Sequence, residues 1–296
     1  MNTSSRTALL ATFAVATMGV RPAPVPWGAV GHELATRAAV EGLPEEMPAF
    51  FRERADQLAY LGPEPDRWRD GGLPEMDEAF KYDHYIDLER ISTVALEAED
   101  RWEFYRVVYD SGLESPESDV GFLPFHIVEL YQRLLVEWRL WHRATDPSER
   151  RWIEDRIVDD AGILGHYVAD ASQPHHTTIH FNGWAAAAPN PEGFTRDRSF
   201  HSRFESDFVN ARVTAPDLAP GLASRPLREL EDVRAAVVEH ILESHGQVMT
   251  LYRLDRDVGF DPARPDSTTR AFAGDRLASG AAMLRDLWWT AWRSSR

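Results

Sequence analysis

Apolar residues recur along the chain with the three- and four-residue spacing that places them on one face of an α-helix. The segments that show this spacing are 30–38, 127–141, 153–168, 230–252 and 277–292. Strand-like alternation is scarce, and neither an internal repeat nor a coiled-coil heptad pattern occurs. The pattern therefore predicts an all-α fold.

Segments rich in Pro and Gly interrupt the helical pattern near 61–74, 182–194, 214–226 and 259–266. Such segments are typical of loops, and here they predict long loops within a single helical domain. The chain has 296 residues, of which 43% are hydrophobic, so a sizeable core is available. The loops at 61–74 and 182–194 adjoin His and Asp residues that could bind a metal, and loops often carry function.

The first 26 residues have the pattern of an export signal. Arg6 supplies a positive charge, residues 8–20 are apolar, and prolines follow at 22, 24 and 26. An apolar run of this length is too short to span a bilayer, and no later stretch could span one. We therefore predict a signal over 1–26, a mature domain over 27–296 and a secreted or periplasmic location. Ala14-Val-Ala16 is an alternative cleavage signal, which would leave Trp27 internal.

The charge of the chain is strongly acidic, with a formal value of −16. Removing residues 1–26 removes Arg6 and Arg21 and no acidic residue, which leaves 30 basic against 48 acidic residues and a formal charge of −18. Such a surface repels nucleic acid and anionic membranes at long range, and bound metal cations would offset part of this charge locally. The chain has no cysteine, so any metal ion must be held by His, Asp, Glu or main-chain atoms.

Histidines recur beside carboxylates in several segments. In His166-Tyr-Val-Ala-Asp170-Ala-Ser-Gln-Pro-His-His176, the first His and the Asp are four residues apart on a predicted helix, so both leave the same face. Pro174 ends that helix and can turn His175 or His176 back towards the same face.

Further candidates lie outside that segment. His201 and Glu205 have the same four-residue spacing, while His84, Asp66 and His32 lie upstream. One such pair taken singly is more often a hydrogen-bonded surface pair than a metal site. Two pairs in an exported chain without cysteine favour a metal site, and imidazole with carboxylate suits zinc best, with iron, manganese or nickel as alternatives.

The remaining histidines and tryptophans favour structural interpretations. Four histidines in amphipathic segments are interpreted as core-edge or surface residues, namely His126, His142, His240 and His245. The C-terminal tryptophans are interpreted as packing residues, namely Trp288, Trp289 and Trp292. For His180 and Trp184, in the loop near the candidate ligands, substrate contact and loop packing are equally supported.

Two segments that contain candidate ligands match known motifs. Trp27-Gly-Ala-Val-Gly-His32 looks like the mature N-terminus Trp-Gly-x-x-Gly-His of single-strand-specific zinc nucleases. The segment from His166 to His176 looks like the core motif His-x-x-x-Asp-x-x-Gln-Pro-x-His, and its spacing favours His176 over His175 as the ligand. The chain thus resembles the superfamily of zinc-dependent phospholipases C and single-strand-specific zinc nucleases, and the resemblance implies that all-α fold with long active-site loops.

Two other segments extend the resemblance. His84-Tyr-Ile-Asp matches a further ligand motif, and His201-x-x-x-Glu205 matches the last one in the carboxylate form typical of the phospholipases. The loop after His176 lacks the Gly-Gly-Asn that often follows in the nucleases.

The resemblance implies three zinc ions. It assigns the first to Asp66, His84, His166 and Asp170, the second to His176, His201 and Glu205, and the third to His32, the other oxygen of Asp170, and the amine and carbonyl of Trp27. Asp170 would bridge two ions. The expected chemistry is hydrolysis of a phosphate ester bond by a zinc-bridging hydroxide.

The resemblance also implies catalytic roles for two residues near the metal ligands. Asp66 would orient the attacking water, and Arg69 stands where the nucleases place an arginine that contacts phosphate. The positions that form a choline cage in some phospholipases are Val30, Arg67 and Lys81 here, and these cannot cage a quaternary ammonium.

These residues lead us to expect a nuclease or nucleotide phosphodiesterase that acts on single-stranded nucleic acid or nucleotides. The first alternative is a phospholipase C that recognises non-choline phospholipid head groups, which the His201-x-x-x-Glu205 form favours. A secreted zinc-binding protein without turnover is the alternative from another class, and the presence of Asp66 speaks against it.

Overall fold

The computed structural model of the chain describes residues 28–264 and 266–296. Within these ranges it contains α-helices and short 3₁₀ or π segments and no β-strand, which confirms the all-α prediction. The predicted export signal and Trp27 lie outside the described residues. The α-helices are α1 (Ala29–Glu41), α2 (Ala49–Glu53), α3 (Ala55–Leu61), α4 (Glu64–Arg67), α5 (Pro74–Phe80), α6 (Arg101–Asp110), α7 (Pro116–Asp119), α8 (Leu123–Arg143), α9 (Pro147–Ser172), α10 (Phe200–Ser202), α11 (Val209–Arg212), α12 (Ala215–Ala223), α13 (Val233–His245), α14 (Val248–Asp257) and α15 (Ser267–Arg293).

Shorter helical segments connect these helices. Four are 3₁₀ turns, at Lys81–His84, Leu88–Arg90, Thr93–Glu97 and Pro174–Thr177, within the part of the chain that the structure describes. The π segment Arg203–Phe208 joins α10 to α11, so that residues 200–212 form one continuous helical stretch.

The core is built around α9, which packs against α8, α15 and α3, while α1 packs against α15. Both α9 and α15 begin at an aspartate, Asp146 or Asp266, whose carboxylate accepts hydrogen bonds from backbone N–H groups of the first turn. Such N-caps stabilise a helix by about 1 kcal/mol each. The buried aromatic rings of Trp138 and Trp288 fill the space between the long helices. No described helix is both long and apolar enough to cross a membrane.

Two features of the fold differ from the sequence-based expectation. The loop predicted at 214–226 is wrong, because α12 occupies most of it. Its prolines suggested a loop, but Pro216 lies in the first turn, where no N–H is needed, and Thr214 and Asp217 form a capping box. The helical segment predicted over 230–252 is two helices, α13 and α14, separated at Gly246 and Gln247.

A close approach between α9 and α3 positions part of the candidate site. A Cβ atom at Gly162 would lie 2.4 Å from Leu61 Cβ and 3.3 Å from the carbonyl oxygen of Leu58. Only glycine permits this contact. One turn further along α9, His166 Nδ1 lies 2.8 Å from the carbonyl oxygen of Gly62, the residue that follows α3.

We expect Gly162→Ala to destabilise the fold. Alanine at an unhindered helical position would be favourable by about 1 kcal/mol, but here the methyl group would overlap Leu61, and overpacking of this kind costs about 1–3 kcal/mol. Urea unfolding should therefore show a lower midpoint for the variant. Gly71→Ala is the control, since nothing lies within 4 Å of its Cβ position. A midpoint for Gly162→Ala equal to or above that of the unmodified protein would contradict the packing constraint.

Candidate metal centre

Helix α9 presents His166 and Asp170 on one face, and both side chains are fully buried. His166 Nε2 lies 3.2 Å from Asp170 Oδ2, as the four-residue spacing predicts. The helix ends at Ser172, and the following 3₁₀ turn carries His175 and His176. One end of α9 therefore supplies two of the candidate ligands and positions a third.

Four donor atoms meet at the first group of side chains. His84 Nδ1 lies 3.0 Å from both His166 Nε2 and Asp170 Oδ2. Asp66 Oδ1 lies 3.9 Å from His84 Nδ1 and 3.8 Å from His166 Nε2. Ligands at the corners of a tetrahedral zinc site are about 3.3 Å apart, given metal–ligand distances of about 2.0–2.1 Å. The spacing of this group is close to that of a tetrahedral donor set.

A second group lies beyond it. His176 Nε2 is 3.2 Å from His201 Nε2 and 3.5 Å from Glu205 Oε2. His201 Nε2 is 2.8 Å from Glu205 Oε2. His201 and Glu205 share one face of the helical stretch 200–212. His175 is buried but contacts Phe200, His201 and Tyr252 through its ring, and it belongs to none of the candidate metal groups in the described part of the chain. The geometry therefore favours His176.

His32 forms the third group with the α9 residues. Its Nε2 lies 3.6 Å from Asp170 Oδ1 and 4.0 Å from Asp66 Oδ2, and its ring stacks on that of His166 with 4.0 Å between centroids. The two oxygens of Asp170 thus face different groups, Oδ1 towards His32 and Oδ2 towards His84. This is the arrangement that a carboxylate shared by two ions requires.

Hydrogen bonds behind the histidines orient their rings. The carbonyl oxygen of Gly62 contacts His166 Nδ1 at 2.8 Å, and that of His84 contacts His176 Nδ1 at 2.7 Å. Because a carbonyl oxygen only accepts, each Nδ1 carries a hydrogen, and Nε2 is left directed at the carboxylates. Metal-binding histidines are commonly held in this way.

Buried donor atoms without hydrogen bonds support metal binding at these groups. Both ring nitrogens of His32, both carboxylate oxygens of Asp66 and Oδ1 of Asp170 are buried and make no hydrogen bond in the described structure. Buried polar groups are normally paired, and imidazole and carboxylate are the side chains that bind zinc and related ions. The three groups could therefore hold metal ions, and their donor atoms fit zinc.

Burial and neighbouring charges perturb the pKa values of the cluster in opposite directions. Burial raises the pKa of Asp66 to about 7 and lowers that of His84 to about 3. Burial also opposes a charge on His176, but Asp170 and Glu205 outweigh it and raise its pKa to about 9. The pKa of Asp170 is lowered against the effect of its own burial, because His176 and His166 favour its charged form. The charge state of each group therefore depends on its neighbours.

A cleft of about 420 Å³ opens beside the cluster, and His84, His176, His201 and Glu205 line part of it. Arg69 lines another part, and its Nε is buried and makes no hydrogen bond. Asp77 is its nearest ion-pair partner, at 4.0 Å. The guanidinium group is thus available to a ligand in the cleft.

The positions compared with a choline cage do not converge on this cleft. Lys81 lines it, whereas Arg67 hydrogen-bonds to Glu64 and packs over the ring of Tyr60. Val30 is on α1 and does not line the cleft.

Several residues of the cleft were not singled out from the sequence, among them two in the loop after the core motif. Phe181 and Asn182 line the cleft, and Phe181 is 42% exposed. Their neighbours His180 and Trp184 stack with 3.7 Å between ring centroids, and neither lines the cleft, which favours loop packing for both. The only sequence signal for Phe181 and Asn182 is their position in the loop after the core motif. A phenylalanine or an asparagine in a loop does not indicate whether its side chain faces a cleft.

The histidines and tryptophans interpreted as structural residues take several positions. His142 is exposed, His240 and His245 are half-buried, and His126 contacts a buried aspartate, Asp83. Trp288 and Trp292 are buried and Trp289 is half-buried, so these tryptophans pack as expected.

Comparisons with known proteins leave the resemblance to zinc-dependent phospholipases and nucleases untested. No protein-family model matches the chain, and neither the curated proteins nor the solved structures contain a significant match.

Proposed function

We propose that the chain is an exported zinc-dependent hydrolase of phosphate ester bonds that acts on single-stranded nucleic acid or nucleotides. The observation that carries the proposal is the shared cleft. Residues of two candidate metal groups and the guanidinium of Arg69 line it together. Candidate metal ligands beside an arginine whose Nε makes no hydrogen bond suit a phosphate group, which binds both. The pattern of residues 1–26 supports export.

In this proposal the ligands are those that the three groups bring together. Asp66, His84, His166 and Asp170 would hold one zinc ion, and His176, His201 and Glu205 a second. His32 and Asp170 would hold a third together with Trp27, which lies outside the described residues. When bound, zinc would supply an activated water and neutralise the charge of the phosphate oxygens.

The chain's own residues would orient the reactants. Asp66 belongs to the first group, and its oxygens are buried without a hydrogen bond, so an oxygen that is not a zinc ligand could orient the attacking water. The guanidinium of Arg69 would donate to two phosphate oxygens and fix the ester for attack. The loop that carries Phe181 and Asn182 would contact the part of the substrate beyond the phosphate.

A parallel assay tests the proposal. The purified mature protein, loaded with zinc, would be incubated with single-stranded DNA, RNA, 3′-nucleotides and several phospholipids. We expect cleavage of at least one nucleic-acid or nucleotide substrate, and its loss after treatment with a chelator. Zinc binding without cleavage of any of these substrates would support the zinc-binding protein without turnover.

Arg69→Ala should lower catalytic efficiency on nucleotide substrates while leaving the zinc content unchanged. Arginine stays protonated and cannot ligate zinc, but its fork matches phosphate oxygens. Loss of one charged hydrogen-bonding contact costs about 1.5–3 kcal/mol, which corresponds to roughly tenfold to over a hundredfold in kcat/KM. Steady-state kinetics and metal analysis would be measured on the same preparation.

The matched control for this variant is Arg67→Ala. Arg67 is two residues away but packs over Tyr60 outside the cleft, so its loss should leave the kinetics unchanged. Equal kcat/KM values for Arg69→Ala and the unmodified protein would remove the main support for a nucleotide substrate.

A phospholipase C acting on non-choline lipids is the second candidate. It is favoured by the 2.8 Å contact between His201 and Glu205, since a carboxylate at this position is typical of the phospholipase branch that the sequence resembles. Lys81 then becomes the discriminating residue, because it lines the cleft and could contact an anionic head group. Lipid cleavage that falls in Lys81→Met, together with unimpaired nucleotide hydrolysis in Arg69→Ala, would favour this candidate.

A further inference from the structure

A cluster of charged side chains lies behind His84, outside the three candidate metal groups. Asp83 is only 3% exposed, and its Oδ1 accepts a hydrogen bond from Arg101 Nη1 at 3.0 Å. His126 Nδ1 lies 3.3 Å from Asp83 Oδ2 and 3.1 Å from Arg101 Nη2. Arg101 also binds Glu129, with its Nε 2.7 Å from Oε1. These residues come from a 3₁₀ turn, α6 and α8, and together they link three elements.

The cluster is joined to the candidate site through the backbone. Asp83 and His84 are neighbours in the 3₁₀ turn Lys81–His84, so fixing the first side chain restricts the backbone that carries the second. His84 contacts both groups that line the cleft. Its Nδ1 belongs to the first group, and its carbonyl oxygen holds His176 of the second.

The ring of Tyr167 adds a second connection. Its centroid lies 4.4 Å from that of His126, 5.2 Å from that of His84 and 5.1 Å from that of His166. Tyr167 is fully buried on α9 and fills the space between the charged cluster and the two ligand rings. A shift of Asp83 would therefore move His84 through the backbone, and a shift of His126 would move it through the packing of Tyr167.

We propose that Asp83, Arg101 and His126 form a brace that positions His84, and that this brace sets the metal affinity of the group formed by Asp66, His84 and His166. The inference rests on the proposed function only in taking these groups as zinc ligands. Asp83, Arg101 and His126 are positioning residues, because none of them belongs to a candidate metal group in the described chain. Outer partners that orient a ligand contribute about 10–100-fold to metal affinity.

The chain offers a matched pair of variants for the test. Asp83→Asn removes the carboxylate next to His84 and leaves Arg101 bound to Glu129. Glu129→Gln removes the other carboxylate on the same arginine and leaves Asp83 in place. Both changes remove one negative charge near Arg101, but only the first acts on the turn that carries His84.

The measurement is zinc affinity by competition with a chromophoric chelator, on the complete mature protein. We expect Asp83→Asn to weaken zinc binding by about 10–100-fold at the site that includes the His84 ring, and to weaken by less the site of His176, which His84 contacts only through its carbonyl oxygen. Glu129→Gln should keep all affinities within about threefold of the unmodified protein, because its carboxylate is half-exposed and exposed pairs contribute little. Circular dichroism would verify that each variant is folded.

Should Asp83→Asn fail to fold, His126→Gln gives the same test from α8, where the side chain is farther from the ligands along the chain. Unchanged zinc affinity in a folded Asp83→Asn or in His126→Gln would overturn the brace, as would an equal loss in Glu129→Gln. A protein that binds no zinc at all would overturn both proposals. A protein that binds zinc but cleaves no phosphate ester would overturn the proposed function alone. The zinc affinities of the variants would still test whether the brace positions His84.

Discussion

Asp170→Asn is expected to remove more than one metal ion from each chain and to abolish hydrolysis. The two carboxylate oxygens face different groups, with Oδ1 3.6 Å from His32 Nε2 and Oδ2 3.0 Å from His84 Nδ1. Asparagine is neutral and offers only one oxygen, so both groups lose a charged ligand. The activity should fall by more than the roughly 10–100-fold that is lost when a residue behind a metal ligand is removed. Elemental analysis of dialysed protein and a phosphodiester assay would measure the two effects.

His201→Gln is the comparison for this variant. His201 contacts only the second group, so its loss should cost no more than one ion per chain. The difference between the two variants isolates the bridging role of the aspartate from the general effect of removing one ligand. An Asp170→Asn protein that retains the metal content of the unmodified protein would exclude that role.

The sequence predicted the long helices and two His–carboxylate pairs of the candidate site because both depend on local spacing. Helix α9 follows from its apolar periodicity, and the four-residue interval from His166 to Asp170 places both on one face without further information. The His201–Glu205 pair behaves in the same way, even though a π segment begins between its members. Local geometry therefore accounts for these two pairs, whereas the roles of Asp66, His84 and His32 were implied by the resemblance.

Contacts between distant segments could not be predicted in this way. The ion pair between Asp83 and Arg101 depends on how a 3₁₀ turn packs against α6, and nothing in the spacing of those residues indicates it. The same applies to Phe181, which lines the cleft although its residue type and spacing do not indicate it. Helix α12 was missed for a different reason, because its composition resembles that of a loop and its capping box stabilises a helix instead.

Metal removal is expected to lower the thermal stability of the protein by at least about 8 °C. The cluster buries three carboxylates, Asp66, Asp170 and Glu205, and removing bound cations takes away positive charge that favours their ionised form. An ion at a thousandfold excess over its Kd stabilises the folded state by about 4 kcal/mol per site, and each kcal/mol shifts Tm by about 2–4 °C in a domain of this size. Differential scanning calorimetry with and without a chelator would measure the shift.

Adding back single metal ions after chelation distinguishes zinc from magnesium by which of them restores Tm. Zinc should return Tm to its original value at micromolar concentrations, whereas magnesium should not, because magnesium prefers oxygen ligands and the groups are rich in imidazole nitrogen. The Asp170→Asn variant provides the internal control. Because it is expected to hold fewer ions, its Tm should fall by less on chelation than that of the unmodified protein. Equal Tm values with and without the chelator would contradict metal binding at these groups, since no ion that binds only the folded state can leave stability unchanged.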